Sequence, residues 1–325
     1  MSTNHITGLH VIFGTGPLGM ATMRELVRRG RRVRMVNRSG RAAVPESVAV
    51  VRGDAYDEAS TRAVCAGAAV VYQCAQPAYT AWARQFPALQ AGVLAGAEAV
   101  GAKLVVAENL YMYGKVERPM TETMPHAATT RKGRVRAAMS EALLVAHRAG
   151  RVRVAIGRGS DFYGPGVRDS SLGERVFFPA LAGKGASAIG DLDQPHTYTF
   201  IDDFGTALVN LGERDEALGR AWHVPNAPTL TTREVIATIY RQLGQPPKMS
   251  GMGRLMLMLG GIAIPEARET IEMLYEFQHP FVVDHRDYAR LFGEHATPLE
   301  EGLRQTIAWY RDEARREGKA VRTAA

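Results

Sequence analysis

Leu9-His10-Val11-Ile12-Phe13-Gly14-Thr15-Gly16-Pro17-Leu18-Gly19 is the stretch that decides the fold. Its first five residues form a short apolar run that reads as a buried strand. Glycines follow at 14, 16 and 19, and the apolar residues Leu18, Ala21, Met23, Leu26 and Val27 then recur with helical spacing until Gly30, a plausible C-cap. Glycines also serve ordinary tight turns, so the order of strand, glycine turn and helix carries the weight. Gly14 permits the turn, Gly16 lets the backbone approach a pyrophosphate and Gly19 lets helix and strand pack closely. Thr15, Pro17 and Leu18 complete a loop whose helix-terminal amides face the anion.

Further strands are predicted at residues 32–36, 48–52, 70–73, 104–107 and 152–156, most of them separated by helical segments. That alternation predicts an α/β fold, a Rossmann-type doubly wound parallel sheet with helices on both faces and right-handed crossovers. By analogy the strand order is 3-2-1-4-5-6. The second strand runs into Asn37-Arg38-Ser39, where an NAD-selective site usually carries a carboxylate for the ribose hydroxyls. Arg38 suits a 2′-phosphate instead, with Asn37 and Ser39 as further donors, so NADP(H) is favoured and NAD(H) is the alternative.

Composition narrows the remaining classes. The 325 residues are 46% hydrophobic and 22% charged, the usual mix of a folded protein long enough for a large α/β domain and a smaller lobe. The net charge of +7 is spread among acidic neighbours. Its local concentrations at 28–34 and 311–322 read as a helix end and a tail, so no nucleic-acid partner is expected. Cys65 and Cys74 match neither CxxC nor a zinc spacing and read as reduced core thiols. The dispersed histidines come with no HExxH or carboxylate cluster, so no metal is expected. The apolar run near 255–265 falls short of the roughly 20 residues of a membrane span. Met1–Asn4 shows no secretory pattern, and a cytoplasmic location is expected.

The chain resembles the extended short-chain dehydrogenase/reductase superfamily, the NAD-dependent epimerase/dehydratase group, over nearly its whole length. Gly14 to Gly19 matches the family turn, and Arg52-Gly53-Asp54 looks like its adenine-contacting segment. Cys74-Ala75-Gln76-Pro77 falls where the fourth strand passes the cofactor. Glu108-Asn109-Leu110-Tyr111-Met112-Tyr113-Gly114 resembles SSxxVYG, residues 158–166 resemble RxxNVYGPG, and Thr199-Phe200-Ile201-Asp202-Asp203 resembles FVHVDD. The resemblance implies a nicotinamide-binding domain over 1–160, to which 200–224 return, and a substrate-binding lobe from 161–199 and 225–325. It implies Asp54, Ala75 and Gln76 at the cofactor, and family members often dimerise through paired helices, so a homodimer is possible.

The departures bear on chemistry. Where the family has YxxxK, this chain places Lys132 and Arg136, and the usual serine is Asn109. Lys132 is expected beside Arg136 as proton donor or oxyanion stabiliser, Asn109 as an amide donor to the same oxygen, and Arg136 on the ribose. Tyr111 and Tyr113 are alternative donors, with Tyr163 lining the substrate. Asp161 stands where sugar-nucleotide enzymes have asparagine near the diphosphate, and a carboxylate repels that group. Met249, Met252, Met256 and Met258 alternate with leucines, a pattern that suits a packed helix or an irregular apolar pocket, with Met256 in its wall. The leading expectation is an NAD(P)-dependent oxidoreductase acting on a C=O or CH–OH group of a small hydrophobic or aromatic molecule. The alternatives are a nucleotide-sugar epimerase or dehydratase and a non-catalytic NADP-binding regulator.

Overall fold

The computed structural model describes residues 8–322, so Met1–Asn4, on which the expectation about secretion rests, lies outside the described residues. Seven strands form one parallel sheet: β1 (Leu9–Phe13), β2 (Arg32–Asn37), β3 (Ala49–Arg52), β4 (Ala68–Gln73), β5 (Lys103–Glu108), β6 (Arg153–Arg158) and β7 (Ala221–His223). Their order is β7-β6-β5-β4-β1-β2-β3, the expected arrangement extended by one edge strand. The neighbours β1 and β4 sit at the point where the chain reverses its direction of sheet growth, and there the crevice at the strand ends opens.

The central strands are buried almost throughout, as a parallel sheet covered on both faces requires. On one face α1 (Pro17–Arg28) packs on α6 (Ile201–Glu213) so closely that a Cβ on Gly205 would lie 2.7 Å from the Ala21 carbonyl carbon. Side chains such as Ile12, Met35, Tyr72, Phe204 and Leu208 fill the space beneath them. The other face is covered by α2 (Glu58–Cys65), α3 (Trp82–Ala99) and α4 (Arg131–Arg148), over Val11, Val71, Leu104, Val93 and Leu143.

A third apolar cluster joins residues that follow β6. Phe177 on α5 (Glu174–Leu181), Ile236 and Tyr240 on α7 (Thr232–Gln242), and Leu303 and Tyr310 on α10 (Leu299–Arg316) meet Tyr163, Tyr198 and Phe200 there. Between α7 and α10 the chain runs through α8 (Arg254–Gly260), α9 (Pro265–Thr270) and the 3-10 turn Ile271–Phe277, a strap laid across the end of α4.

The methionine and leucine stripe is split: Met249 and Met252 pack against apolar clusters, and Met256 departs from both expectations. Of α8 only Leu257 is buried, while Met256 is 53% exposed, so Met256 neither packs in the core nor lines the crevice. No helix among the described residues is long and apolar enough to cross a membrane, and none of their His, Cys, Asp and Glu side chains group to hold a metal ion.

Candidate active site

One cavity of about 670 Å³ lies at the C-terminal ends of β1 to β6. Its first wall is the glycine turn. Gly14 has φ +107°, a left-handed conformation that suits glycine, and a Cβ there would stand 2.8 Å from the Ala75 nitrogen. A Cβ on Gly19 would lie 2.0 Å from the Gly14 carbonyl oxygen, whereas beside Gly16 nothing stands within 4 Å. Gly16 caps α1 with no side-chain hydrogen bond and no acidic residue in the first turn. The first amides of α1 are therefore left to an external anion. Thr15, Pro17 and Leu18 line the same wall.

At the ends of β2 and β3 the wall passes to Asn37, Arg38 and Asp54. Asn37 Nδ2 donates to Thr15 Oγ1 at 3.0 Å and to the Arg41 carbonyl at 2.8 Å, which ties this loop to the glycine turn. Arg38 makes no ion pair among the described residues. Ser39 points into its own loop, donating to Asn37 Oδ1 at 3.0 Å, and lies off the cavity wall. Past β4 come Gln73, Cys74, Ala75 and Gln76. Burial pushes the Cys74 thiol up to about 12, so it is a neutral wall atom.

Arg136 also reaches the cavity, stacked 4.7 Å from the Phe86 ring centroid and buried, and burial lowers its affinity for a proton. Its Nε and Nη1, and both polar atoms of the Gln73 amide, have no hydrogen-bond partner among the described residues. Buried donors left open beside an open glycine cradle fit a polar ligand with phosphate and ribose groups.

The opposite end, beyond β5 and β6, is formed by Asn109, Tyr111, Asp161, Tyr79, Glu276 and Phe281. Asn109 Oδ1 accepts from the Tyr111 amide at 3.4 Å. The Tyr111 and Tyr79 hydroxyls lie 3.4 Å apart, and burial raises both phenols, which stay protonated. Asp161 Oδ2 is 2.8 Å from His196 Nε2, and His196 Nδ1 is 3.3 Å from the Glu276 carbonyl oxygen. A carbonyl only accepts, so the ring donates from Nδ1, and Nε2 is the ring atom that meets the Asp161 carboxyl. Phe277 and Phe281 stack on the His196 ring at 4.9 and 5.0 Å.

Three expected participants stand elsewhere. Lys132 is 1% exposed and off the cavity wall. Its ammonium donates to the carboxylate of Glu269, to the Glu269 carbonyl at 3.2 Å and to Glu272 at 2.7 Å, beneath the Tyr79 ring. All three of its N–H groups are thus taken, and its companions are strap carboxylates in place of Arg136.

Tyr113 is buried, with its oxygen 2.6 Å from Arg158 Nη1 and 2.8 Å from His223 Nε2. Burial lowers the His223 imidazole to about 3, so it is neutral, and its Nδ1 donates to the Asp284 carbonyl. Nε2 therefore accepts the Tyr113 proton, which makes Tyr113 a bracing group. Tyr163 lies in the third cluster beside Phe200 and Gly302, away from the cavity.

Sequence reasoning missed Tyr79, His196 and Glu276, which no short motif marks. The Glu108 carboxylate, 3.0 Å from Arg158 Nε, was read only as part of a family segment.

A glycine-lined crevice at the switch point of a parallel sheet defines a dinucleotide-fold protein. The model of the NAD dependent epimerase/dehydratase family matches residues 10–224, and the chain belongs to that family. Its sequence is 26% identical over 202 residues to dTDP-glucose 4,6-dehydratase of Neisseria gonorrhoeae, a match spanning 62% of this chain and 56% of that protein. The chain thus matches little more than half the length of that relative.

Among solved structures, UDP-glucuronic acid 4-epimerase from Bacillus cereus, in complex with NAD, superposes with a TM-score of 0.77 at 15% identity, over 94% of this chain and 99% of that one. An epimerase from Methanothermobacter thermautotrophicus gives 0.79 at 18% identity, over 95% and 93%. The dTDP-glucose 4,6-dehydratase of Bacillus anthracis, in complex with NAD, gives 0.77 at 15%, over 94% and 97%. At these identities the likeness is one of fold.

Proposed function

We propose that this chain is a nicotinamide-dinucleotide-dependent oxidoreductase acting on a C=O or CH–OH group of a small, aromatic or otherwise hydrophobic molecule. One observation carries the reading: a single cavity connects the open glycine cradle to an end walled by Tyr79, Trp82, Phe162 and Phe281. The amides following Gly14 and Gly16 would hold the pyrophosphate, with Thr15, Pro17 and Leu18 shaping the loop. Asp54, Ala75 and Gln76 would line the adenosine and nicotinamide halves, and the open donors of Arg136 suit a ribose. Arg38, free of an ion pair and next to Asn37, supports NADP(H) over NAD(H). Bound there, the coenzyme would supply or accept hydride. Asn109, Tyr111 and Asp161 would orient the substrate oxygen, and residues 161–199 and 225–325 would act as the substrate lobe against a cofactor domain of 1–160 and 200–224.

A nucleotide-sugar epimerase or dehydratase is the second reading, favoured by the named relatives and the NAD that two of them hold. Against it stands the far wall, where Asp161 and Asp169 are met by no lysine or arginine among the described residues that line it. A diphosphate there would lack the cations that normally hold one. Stopped-flow oxidation of NADPH against a panel of aromatic aldehydes and ketones, beside UDP- and dTDP-sugars, separates the two. Turnover of aromatic carbonyls is expected. Turnover confined to sugar nucleotides, or coenzyme binding with inertness toward every substrate, overturns the proposal.

A further inference from the structure

The reaction proposed above needs a proton at the substrate oxygen, and the groups first expected to supply it are engaged. Lys132 has spent its three N–H groups on the strap, and the Tyr113 hydroxyl lies between Arg158 and His223. Tyr79 and Tyr111 face each other, and burial makes both phenols poorer acids than usual. Glu108 lines the cavity too, but its carboxylate is paired with Arg158 at 3.0 Å. Glu276 remains: it lines the substrate end, is 2% exposed, and its Oε1 finds no hydrogen-bond partner among the described residues.

An ionised carboxylate buried without a cation beside it is costly, and the neutral acid is the form that relieves the cost. Burial, with the negative charge of Asp161 added, pushes the Glu276 carboxyl well above the usual carboxylate range, while Tyr275 on the same turn pulls the other way. The other groups bearing on this corner are Tyr79 and Tyr111 from the turns after β4 and β5, Glu272 on the strap, and His196, which meets the Glu276 carbonyl. None of them brings a fixed cation to the Glu276 carboxyl.

We propose that Glu276, held as the neutral acid, is the proton donor of the site and delivers its carboxyl hydrogen to the oxygen of a carbonyl substrate. The proposal rests on the reading of this cavity as the seat of a nicotinamide coenzyme and a carbonyl compound. The Glu276 O–H bond breaks as the substrate O–H bond forms, and the electron pair and second hydrogen reach the carbon as hydride from the reduced coenzyme. Glu276 is left as a carboxylate and regains a proton from water as product leaves. The alcohol oxidation runs through the same groups in reverse. In either direction the donor reaches the reacting oxygen from the strap.

Infrared difference spectroscopy on the full chain tests this directly. At neutral pH the wild-type protein is expected to show a deuterium-sensitive carboxylic-acid C=O band that is absent from Glu276→Gln and kept, shifted, in Glu276→Asp. With saturating NADP⁺, acetophenone is expected to move the wild-type band to lower frequency as the acid donates to the ketone oxygen. For any carbonyl substrate turned over, Glu276→Gln is expected to lower kcat by about 100-fold, the low end of general-acid contributions, with NADPH affinity changed by less than about twofold. Absence of the band at neutral pH in wild-type protein, or a band indifferent to acetophenone, overturns the proposal. Failure of the wild-type chain to take up either coenzyme in calorimetry is a separate result that removes the coenzyme reading and leaves the band unchanged.

Discussion

The two ends of the cavity are built in opposite ways. At the coenzyme end the cradle is a contiguous loop between β1 and α1, and its geometry follows from where glycines sit in eleven consecutive residues. At the far end the wall is collected from the turns after β4 and β5, the strand Asp161–Tyr163, with His196 buried against Asp161, and the strap that carries Glu276. The first end is specified by local backbone constraint. The second is specified by tertiary placement, and its chemistry depends on which charges the strap brings.

The largest effects are expected where tertiary pairing is broken. Glu108→Leu leaves the Arg158 guanidinium buried without its carboxylate, and a loss of about 3–5 kcal/mol is expected in urea melts. A change under 1 kcal/mol would show that Tyr113 and Ser140, which also receive Arg158, suffice to hold it.

The glycines offer a sharper contrast within the coenzyme end. Gly19→Val drives a side chain into the Gly14 carbonyl and is expected to destabilise the fold by about 3 kcal/mol. Gly16→Val meets open space, so stability should hold within about 1 kcal/mol while coenzyme uptake is lost to a side chain in the phosphate seat. If both variants fold and bind alike, the cradle is not the anion site.

Smaller still, Arg38→Ala is expected to weaken NADP⁺ by about 1.5–3 kcal/mol in calorimetry and to leave NAD⁺ unchanged, since a charged hydrogen bond to a 2′-phosphate is all it removes. Equal weakening of both coenzymes would place Arg38 on a group they share. The mildest test concerns the far end. Lys132→Met deprives Glu269 and Glu272 of their buried partner, with Arg131 still paired to Glu269, and is expected to raise amide exchange across residues 254–277 without altering coenzyme affinity. Unchanged exchange would mean that Arg131 alone anchors the strap.

The same contrast explains what the sequence disclosed. Six strands are legible because each carries a core of β-branched or other apolar residues, bounded in most cases by turn or helix signals. Ala221–His223 is three residues long and owes its place to pairing with β6, so no periodicity announced it. Gly14, Gly16, Gly19, Asn37, Arg38 and Asp54 were readable because strand ends point at the switch crevice whatever fills the rest. Arg136 came from resemblance, and the structure sets it at the cavity with donors open.

Lys132 was read against Arg136 because the two lie one helical turn apart, yet carboxylates 137 and 140 positions away took its ammonium. Met256 belongs to a stripe with helical spacing, but spacing alone does not say whether a face is covered, and this one is exposed. His196 and Glu276 are single residues in short elements, and their proximity to Asp161 arises only when the chain returns over the sheet.

The most direct test of the whole account is titration calorimetry of the folded wild-type chain with NADP⁺ and NAD⁺, beside Gly16→Val of matched stability. Single-site uptake by wild type, tighter for NADP⁺ and abolished by the valine, is the predicted result. A folded wild-type chain that takes up neither coenzyme would contradict it.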